Sequence, residues 1–85
     1  MTKSDILAGL SVIVRDALSD DSIVLTADAA AEDFDGWDSL KHIGIVVAAE
    51  ARFGVKFLTS EIEMLRNVDD FVTLIDRKLR ASTSV

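Results

Sequence analysis

The residues with the greatest potential for chemistry lie together in the middle of the sequence. Ser39 follows Asp38, and the single histidine, His42, lies three residues further on. A serine hydrolase needs more than this pair, because the base must be oriented by a third group and an oxyanion hole must be present. The chain contains no cysteine, no glycine-rich phosphate loop and no spacing typical of metal ligands. We therefore expect neither an enzyme nor a metal site, and we expect His42 to be a solvated helix residue.

The size and charge of the chain favour a binding module. Its 85 residues predict one domain over 1–85, whose small core leaves little room for an enclosed active site. The formal net charge is −6, which opposes nucleic-acid binding and favours protein partners with basic surfaces. Most of the acids precede Ser39. We see no signal peptide and no apolar run of membrane-spanning length, so we expect a cytoplasmic monomer without membrane association.

Two helices flank the segment that leads to Ser39. Apolar residues recur at helical spacing over residues 3–18. The second helix is predicted over 39–53, because Asp38 is a suitable N-cap and Gly54 a suitable C-terminal stop. The connection between the two helices is long. Connections of this length are usually functional or disordered, and we expect this one to be an ordered, functional loop.

Two further helices are predicted after Gly54. A cap pair that begins at Ser60 predicts a short helix over 60–66, and a similar pair that begins at Asn67 predicts the last helix over 68–80. Residues 81–85 are expected to form a flexible tail. The predicted fold is an all-α four-helix bundle of three longer helices and one short helix, with a long first loop.

The second helix is apolar on more than one side, although a domain of this size can bury only one side well. We assign one set of residues to the core: Ile45, Val46, Ala49 and Phe53. The other set would form an exposed apolar patch beside Ser39 that could bind partner proteins: Leu40, Ile43 and Val47.

The stretch Gly36-Trp37-Asp38-Ser39-Leu40 resembles the modification site of the acyl carrier protein family, in which an Asp-Ser-Leu core accepts 4′-phosphopantetheine. Residues 48–55, which contain Phe-Gly followed by an aliphatic residue, resemble the end of the helix that follows this serine in the family. Residues 67–71 resemble the start of the family's last helix. The resemblance covers nearly the whole chain, and the first helix is its least specific part.

The resemblance implies a carrier domain with the family's helical fold. It implies that Ser39 carries a covalent 4′-phosphopantetheine group derived from coenzyme A, and that the arm holds acyl intermediates as thioesters. A phosphopantetheinyl transferase, a loading ligase or transferase, and downstream synthases of fatty acid or polyketide biosynthesis would be the partners. The start of a helix also suits a phosphodiester, because unpaired N–H groups and the positive end of the helix dipole lie there.

Six residues around Ser39 are the expected partner-recognition residues: Asp35, Asp38, Leu40, Ile43, Val47 and Glu61. The resemblance also implies that Asp38 helps the transferase to hold a metal ion and the cofactor donor. One departure from the family concerns the second helix, which is usually rich in acids in fatty-acid members. Here this helix contains Lys41 and Arg52, which indicates a carrier of a specialised pathway.

Two other functions fit parts of this pattern. An aminoacyl or peptidyl carrier of nonribosomal-type synthesis would share the fold and the modified serine, although Asp38 before Ser39 favours the acyl members. A helical interaction module that is never modified would also use the apolar patch. The position of Asp38-Ser39-Leu40 at a predicted helix start argues against this second alternative.

Overall fold

The computed structural model describes residues 2–83. Its helices are α1 (Lys3–Leu18), α2 (Ser39–Phe53), α3 (Thr59–Glu63) and α4 (Val68–Thr83), and a single 3₁₀ turn, Ala31–Asp33, lies in the first loop. The predicted all-α fold of three longer helices and one short helix is confirmed. None of these helices combines the length and the apolar character that crossing a membrane requires.

The starts of the longer helices are determined by side-chain caps. The hydroxyl of Thr2 accepts a hydrogen bond from Asp5 N (3.2 Å), and the Asp5 carboxylate accepts one from Thr2 N (3.0 Å). Asp38 Oδ1 accepts from Lys41 N (2.9 Å) at the start of α2. Asn67 Oδ1 accepts a bond of the same kind before α4. These bonds satisfy N–H groups that have no acceptor within the helix, so each start is encoded locally.

The short helix differs from its prediction over 60–66. It spans Thr59–Glu63, and the acid that closes its start is Glu61, whose Oε1 accepts from Leu58 N at 2.7 Å. The expected cap pair of Ser60 and Glu63 was therefore wrong. The reason is tertiary, because Lys78 of α4 lies 2.8 Å from the same oxygen of Glu61 and holds that carboxylate over the start of α3.

The last helix is longer than predicted. It continues from Val68 to Thr83, so residues 81–83 are helical, although we expected them in a flexible tail. Neither Gly nor Pro interrupts this segment, and Arg80 Nε lies 3.1 Å from Asp76 Oδ2 one turn earlier, a spacing that supports a helix. The remaining tail residues, Ser84 and Val85, lie outside the described residues.

The core lies where α1 packs against α2 and α4. Ile6 and Leu10 of α1 meet Ile45 of α2 and Ile75 of α4, and all four side chains are at most 1% exposed. Burial of several such side chains supplies the main stabilisation of a domain of this size. The packing also fixes the axis of α2, and therefore the place of Ser39 at its first residue.

The first loop is ordered, as predicted. Ile23 and Leu25 are buried in the core, and Arg15 Nε donates to Ile23 O at 2.7 Å. Later in the loop, Ala29 O accepts from Val68 N at 2.8 Å. The loop is thus attached to both α1 and the start of α4, and it delivers Asp38 to the start of α2 in a defined position.

Candidate functional site

Ser39 is the first residue of α2, and its side chain is exposed. Asp38 immediately before it has extended backbone geometry and caps the helix. The N–H groups of Ser39 and Leu40 belong to the first turn, where no carbonyl of the helix is available to accept them. The hydroxyl is therefore accessible to a modifying enzyme, and an anion attached to it would lie at the positive end of the helix dipole.

Aromatic contacts hold the end of the loop against α2. Gly36 has φ +86°, a conformation that glycine adopts without strain, and the chain turns there. The Trp37 ring then lies between Phe34 (centroids 5.7 Å apart) and His42 (6.2 Å apart). These ring contacts connect the loop to the first turns of α2, so the segment before Ser39 has a defined path.

His42 is not the solvated residue that we expected. It is half-buried, and its Nδ1 accepts a hydrogen bond from Trp37 Nε1 at 3.3 Å. Burial lowers the pKa of His42 below its usual 6.5, because desolvation disfavours the imidazolium. Within residues 2–83 its ring bonds to Trp37 and not to Ser39. The arrangement lacks the base-to-nucleophile contact that a serine hydrolase needs.

The two apolar sides of α2 separate as predicted. Leu40, Ile43 and Val47 are 76%, 58% and 56% exposed, whereas Ile45 and Ala49 are fully buried. The three exposed residues follow one another along the outer side of the helix and begin directly after Ser39. Exposed apolar side chains that lie together commonly mark a protein-binding surface.

The three acidic residues expected to contact partners differ in their surroundings. Asp35 and Asp38 are exposed on the loop side of Ser39. Glu61 of α3 is different, because its carboxylate is half-buried and already paired. The hydrogen bond from Leu58 N, followed by that from Lys78, lowers the pKa of Glu61. Asp35 is thus exposed, Asp38 is exposed while its Oδ1 caps α2, and Glu61 is paired within the protein.

Two structural roles were missed by sequence reasoning. Glu50 of α2 is bonded to the segment before α3, where its Oε2 accepts from Phe57 N at 2.9 Å. Lys78 of α4 pairs with Glu61 and lies 5.8 Å from the centroid of the Phe57 ring. Both contacts fasten the α3 region to the longer helices. The Lys78–Glu61 contact joins segments far apart in sequence, and the Glu50–Phe57 contact spans irregular backbone. No local sequence pattern therefore predicts either contact.

Sequence reasoning also missed an open groove between α1 and α2, with a volume of about 910 Å³. Val12 and Ala17 line it from α1, and Gly44, Ala48 and Ala51 line it from α2. The spacing of these three small residues places them on one side of α2, and this spacing is the signal that could have revealed the groove.

Comparisons with known proteins agree with this geometry. No protein-family model matches the chain. An acyl carrier protein from Petrotoga mobilis is 34% identical to it, with 93% of each chain covered. Another from Thermosynechococcus vestitus is 37% identical and covers 95% of this chain and 100% of its own. The solution NMR structure of a holo acyl carrier protein from Geobacter metallireducens superimposes with a TM-score of 0.84 at 42% identity, over 91% of this chain and 88% of the other.

These similarities extend along nearly the whole chain and include the fold as well as the sequence. The chain therefore belongs to the acyl carrier protein family, whose members are carriers rather than enzymes.

Proposed function

We propose that this protein carries acyl groups on a 4′-phosphopantetheine arm attached to Ser39, in the cytoplasm. The observation that carries the proposal is the exposed Ser39 hydroxyl at the first residue of a capped helix. The arm, when attached, supplies a thiol that holds the acyl group as a thioester and that the cysteine-free chain lacks. Attachment to the protein raises the effective concentration of the cargo at each partner's active site.

The residues around Ser39 fit the attachment step. The Ser39 hydroxyl oxygen forms a bond to the β-phosphorus of coenzyme A, the pyrophosphate bond breaks, and adenosine 3′,5′-bisphosphate leaves. The hydroxyl proton passes to a base of the transferase, since the only histidine is directed at Trp37. The N–H groups at the start of α2 stabilise the phosphodiester that results. We propose that Asp38, besides capping α2, contributes to the transferase's metal site.

Intact-protein mass spectrometry tests the attachment. The chain is incubated with coenzyme A, Mg²⁺ and a phosphopantetheinyl transferase of broad specificity, and one phosphopantetheine adduct is expected. Ser39→Ala should give no adduct. Ser4→Ala is the matched control, because Ser4 is also an exposed first-turn serine of a long helix, and it should be modified like the wild type. An adduct on Ser39→Ala, or none on the wild type with several transferases, would contradict the proposal.

We further propose that partner enzymes bind the exposed side of α2. The apolar patch of Leu40, Ile43 and Val47 supplies the central contact, and Asp35 and Asp38 supply charge beside the arm. We propose a smaller contribution from Glu61, because Lys78 already neutralises it. Ile43→Asp should therefore reduce loading by an acyl ligase more than Glu61→Gln does, with circular dichroism as the test that both variants are folded.

The charge of α2 supports a specialised pathway over general fatty acid synthesis. Its single acid, Glu50, is turned towards Phe57 N, so the charges that α2 presents outward are those of Lys41 and Arg52. A partner adapted to a strongly acidic helix would meet like charge here. Loading assays with a fatty acid synthase ketosynthase, an acyl ligase and an amino-acid ligase distinguish the pathways. Efficient use by the fatty acid enzyme would contradict a specialised pathway, and loading by the amino-acid ligase alone would contradict an acyl cargo.

A further inference from the structure

The segment that leads into Ser39 has no backbone hydrogen bond over residues 35–37 within the part of the chain that the structure describes. Backbone bonds resume where His42 N donates to Asp38 O at 2.9 Å. Gly36, in the middle of this gap, has φ +86° and no side chain that could hold it. A segment without backbone hydrogen bonds and with few packed side chains opens readily. A side chain must therefore restrain residues 35–37 if the path to Ser39 is to be fixed.

Trp37 supplies this restraint. Its Nε1–H donates to His42 Nδ1 at 3.3 Å, and its ring lies with centroid separations of 6.2 Å from His42 and 5.7 Å from Phe34. Because Nδ1 accepts this bond, the neutral His42 ring carries its proton on Nε2. The bond joins the residue two positions before Ser39 to the residue three positions after it. It therefore spans both Asp38 and Ser39.

The same pair of rings packs against the start of α4. Trp37 and His42 line a cavity of about 40 Å³ together with Val68 and Phe71, each of which is 4% exposed. This volume is little more than the roughly 30 Å³ that one water molecule occupies, so little free space separates the rings from α4. Close packing of this kind resists displacement of the side chains. The start of α4 thus limits where the two rings, and the backbone between them, can lie.

We propose that Trp37 and His42 are positioning residues for the attachment step. Their hydrogen bond holds the Ser39 hydroxyl in the orientation that the transferase uses. The inference rests on the proposed function, because it concerns attachment to the same serine. Neither side chain bonds to Ser39 within the described residues, so both act through the backbone that joins them. The cap that Asp38 provides to Lys41 N is separate from the Trp37–His42 bond, so α2 should still form when the pair is broken.

Steady-state kinetics of phosphopantetheine transfer test this role, with coenzyme A, Mg²⁺, a broad-specificity transferase and a varied concentration of the full chain. Trp37→Phe keeps an aromatic ring and removes the N–H donor, and His42→Leu removes the acceptor. Each should lower kcat/KM about tenfold, which corresponds to about 1.4 kcal/mol of lost transition-state stabilisation. His42→Asn should retain most of the wild-type value, because its side-chain oxygen can accept the same bond. The double variant should be no slower than either single variant, since all three lack that bond.

The division of the loss between kcat and KM separates positioning from stability. The outer side of α2 is unchanged in these variants, so a misoriented Ser39 still reaches the transferase and the loss should fall mainly on kcat. Partial unfolding would instead raise the apparent KM, because it lowers only the concentration of folded substrate.

Thr2→Ala is the matched control. It removes a side-chain hydrogen bond at the start of another helix, α1, and should leave both kinetic constants unchanged, with circular dichroism as the test that every variant is folded. Wild-type rates for Trp37→Phe, a loss confined to KM, additive losses in the double variant, or a His42→Asn as slow as His42→Leu would each overturn the inference and leave the proposed function standing. No adduct on the wild type would overturn the proposed function, and this inference with it.

Discussion

The contact between α1 and α2, which sets the position of α2 and of Ser39, depends on Gly9. A Cβ atom at this position would lie 2.8 Å from Phe53 Cζ and 2.8 Å from Arg52 Nε. Arg52 is exposed and its side chain can move away. Phe53 is only 7% exposed, and its ring is held in the core. Carbon atoms pack best at about 3.5–4.0 Å, so Gly9→Ala forces either the ring or the helix to shift.

Gly44 provides a matched comparison. It also lies inside a long helix, but a Cβ atom there meets nothing within 4 Å. Replacing glycine by alanine in a helix stabilises by about 1 kcal/mol, and this contribution is common to both variants. Overpacking costs about 1–3 kcal/mol, and only Gly9→Ala incurs it. We predict that Gly44→Ala raises the free energy of unfolding by about 1 kcal/mol. The free energy of unfolding of Gly9→Ala should be about 1–3 kcal/mol lower than that of Gly44→Ala.

Urea unfolding followed by far-UV circular dichroism measures this difference. Equal m-values in the two variants would show that the same surface is exposed on unfolding, so that the midpoints can be compared directly. In thermal unfolding, Gly44→Ala should melt roughly 4–8 °C above the wild type, the shift that 1 kcal/mol produces in a domain of this size. Equal stabilisation by both substitutions would refute the argument, because it would mean that α1 and α2 do not approach closely at Gly9.

Three further predictions concern the site and its supports. Asp38→Ala should lower the free energy of unfolding, measured by urea unfolding, by about 1 kcal/mol because the α2 cap is lost. Asp38→Asn should retain most of the stability that the cap contributes, because Asn is also a good N-cap. His42 should titrate below 6.5 by NMR. Its neutral form therefore contributes folding stability above pH 6.5, and this contribution is lost as the pH falls through the folded-state pKa. His42→Gln should remove this part of the pH dependence of stability. Lys78→Met should raise the pKa of Glu61 only part of the way to its usual value, because the larger contribution from the hydrogen bond of Leu58 N remains. The same substitution should speed amide exchange in α3. An unchanged Glu61 titration by carboxyl NMR would show that the Lys78 and Glu61 side chains do not pair.

The sequence predicted α2 and its two sides well because the signals are local or periodic. Asp38 caps the helix through an N–H only three residues away, and Gly54 ends it with φ +66°. The alternation between Ile43 and Ile45 as exposed and buried residues follows from helical spacing and the need to bury one side. These local signals are sufficient to place Ser39 at an exposed helix start.

Other features depend on contacts that no local pattern contains. Glu61 rather than Glu63 caps the start of α3, because Lys78 of α4 pairs with it. Glu50 turns inward because Phe57 N donates a hydrogen bond to it. These choices reverse simple expectations about which acids are free at the surface.

The sequence by itself determined that Ser39 begins a capped helix, because caps and helical periodicity act within a few residues along the chain. The tertiary structure alone decided which side chains near the start and along the length of α2 are bonded and which space is open. His42 pairs with Trp37, and the carboxylates of Glu50 and Glu61 are bonded within the protein. An open groove lies beside Lys41. The physical reason is that a side chain's burial and partner depend on how the helices pack, and packing brings together residues that the sequence keeps apart.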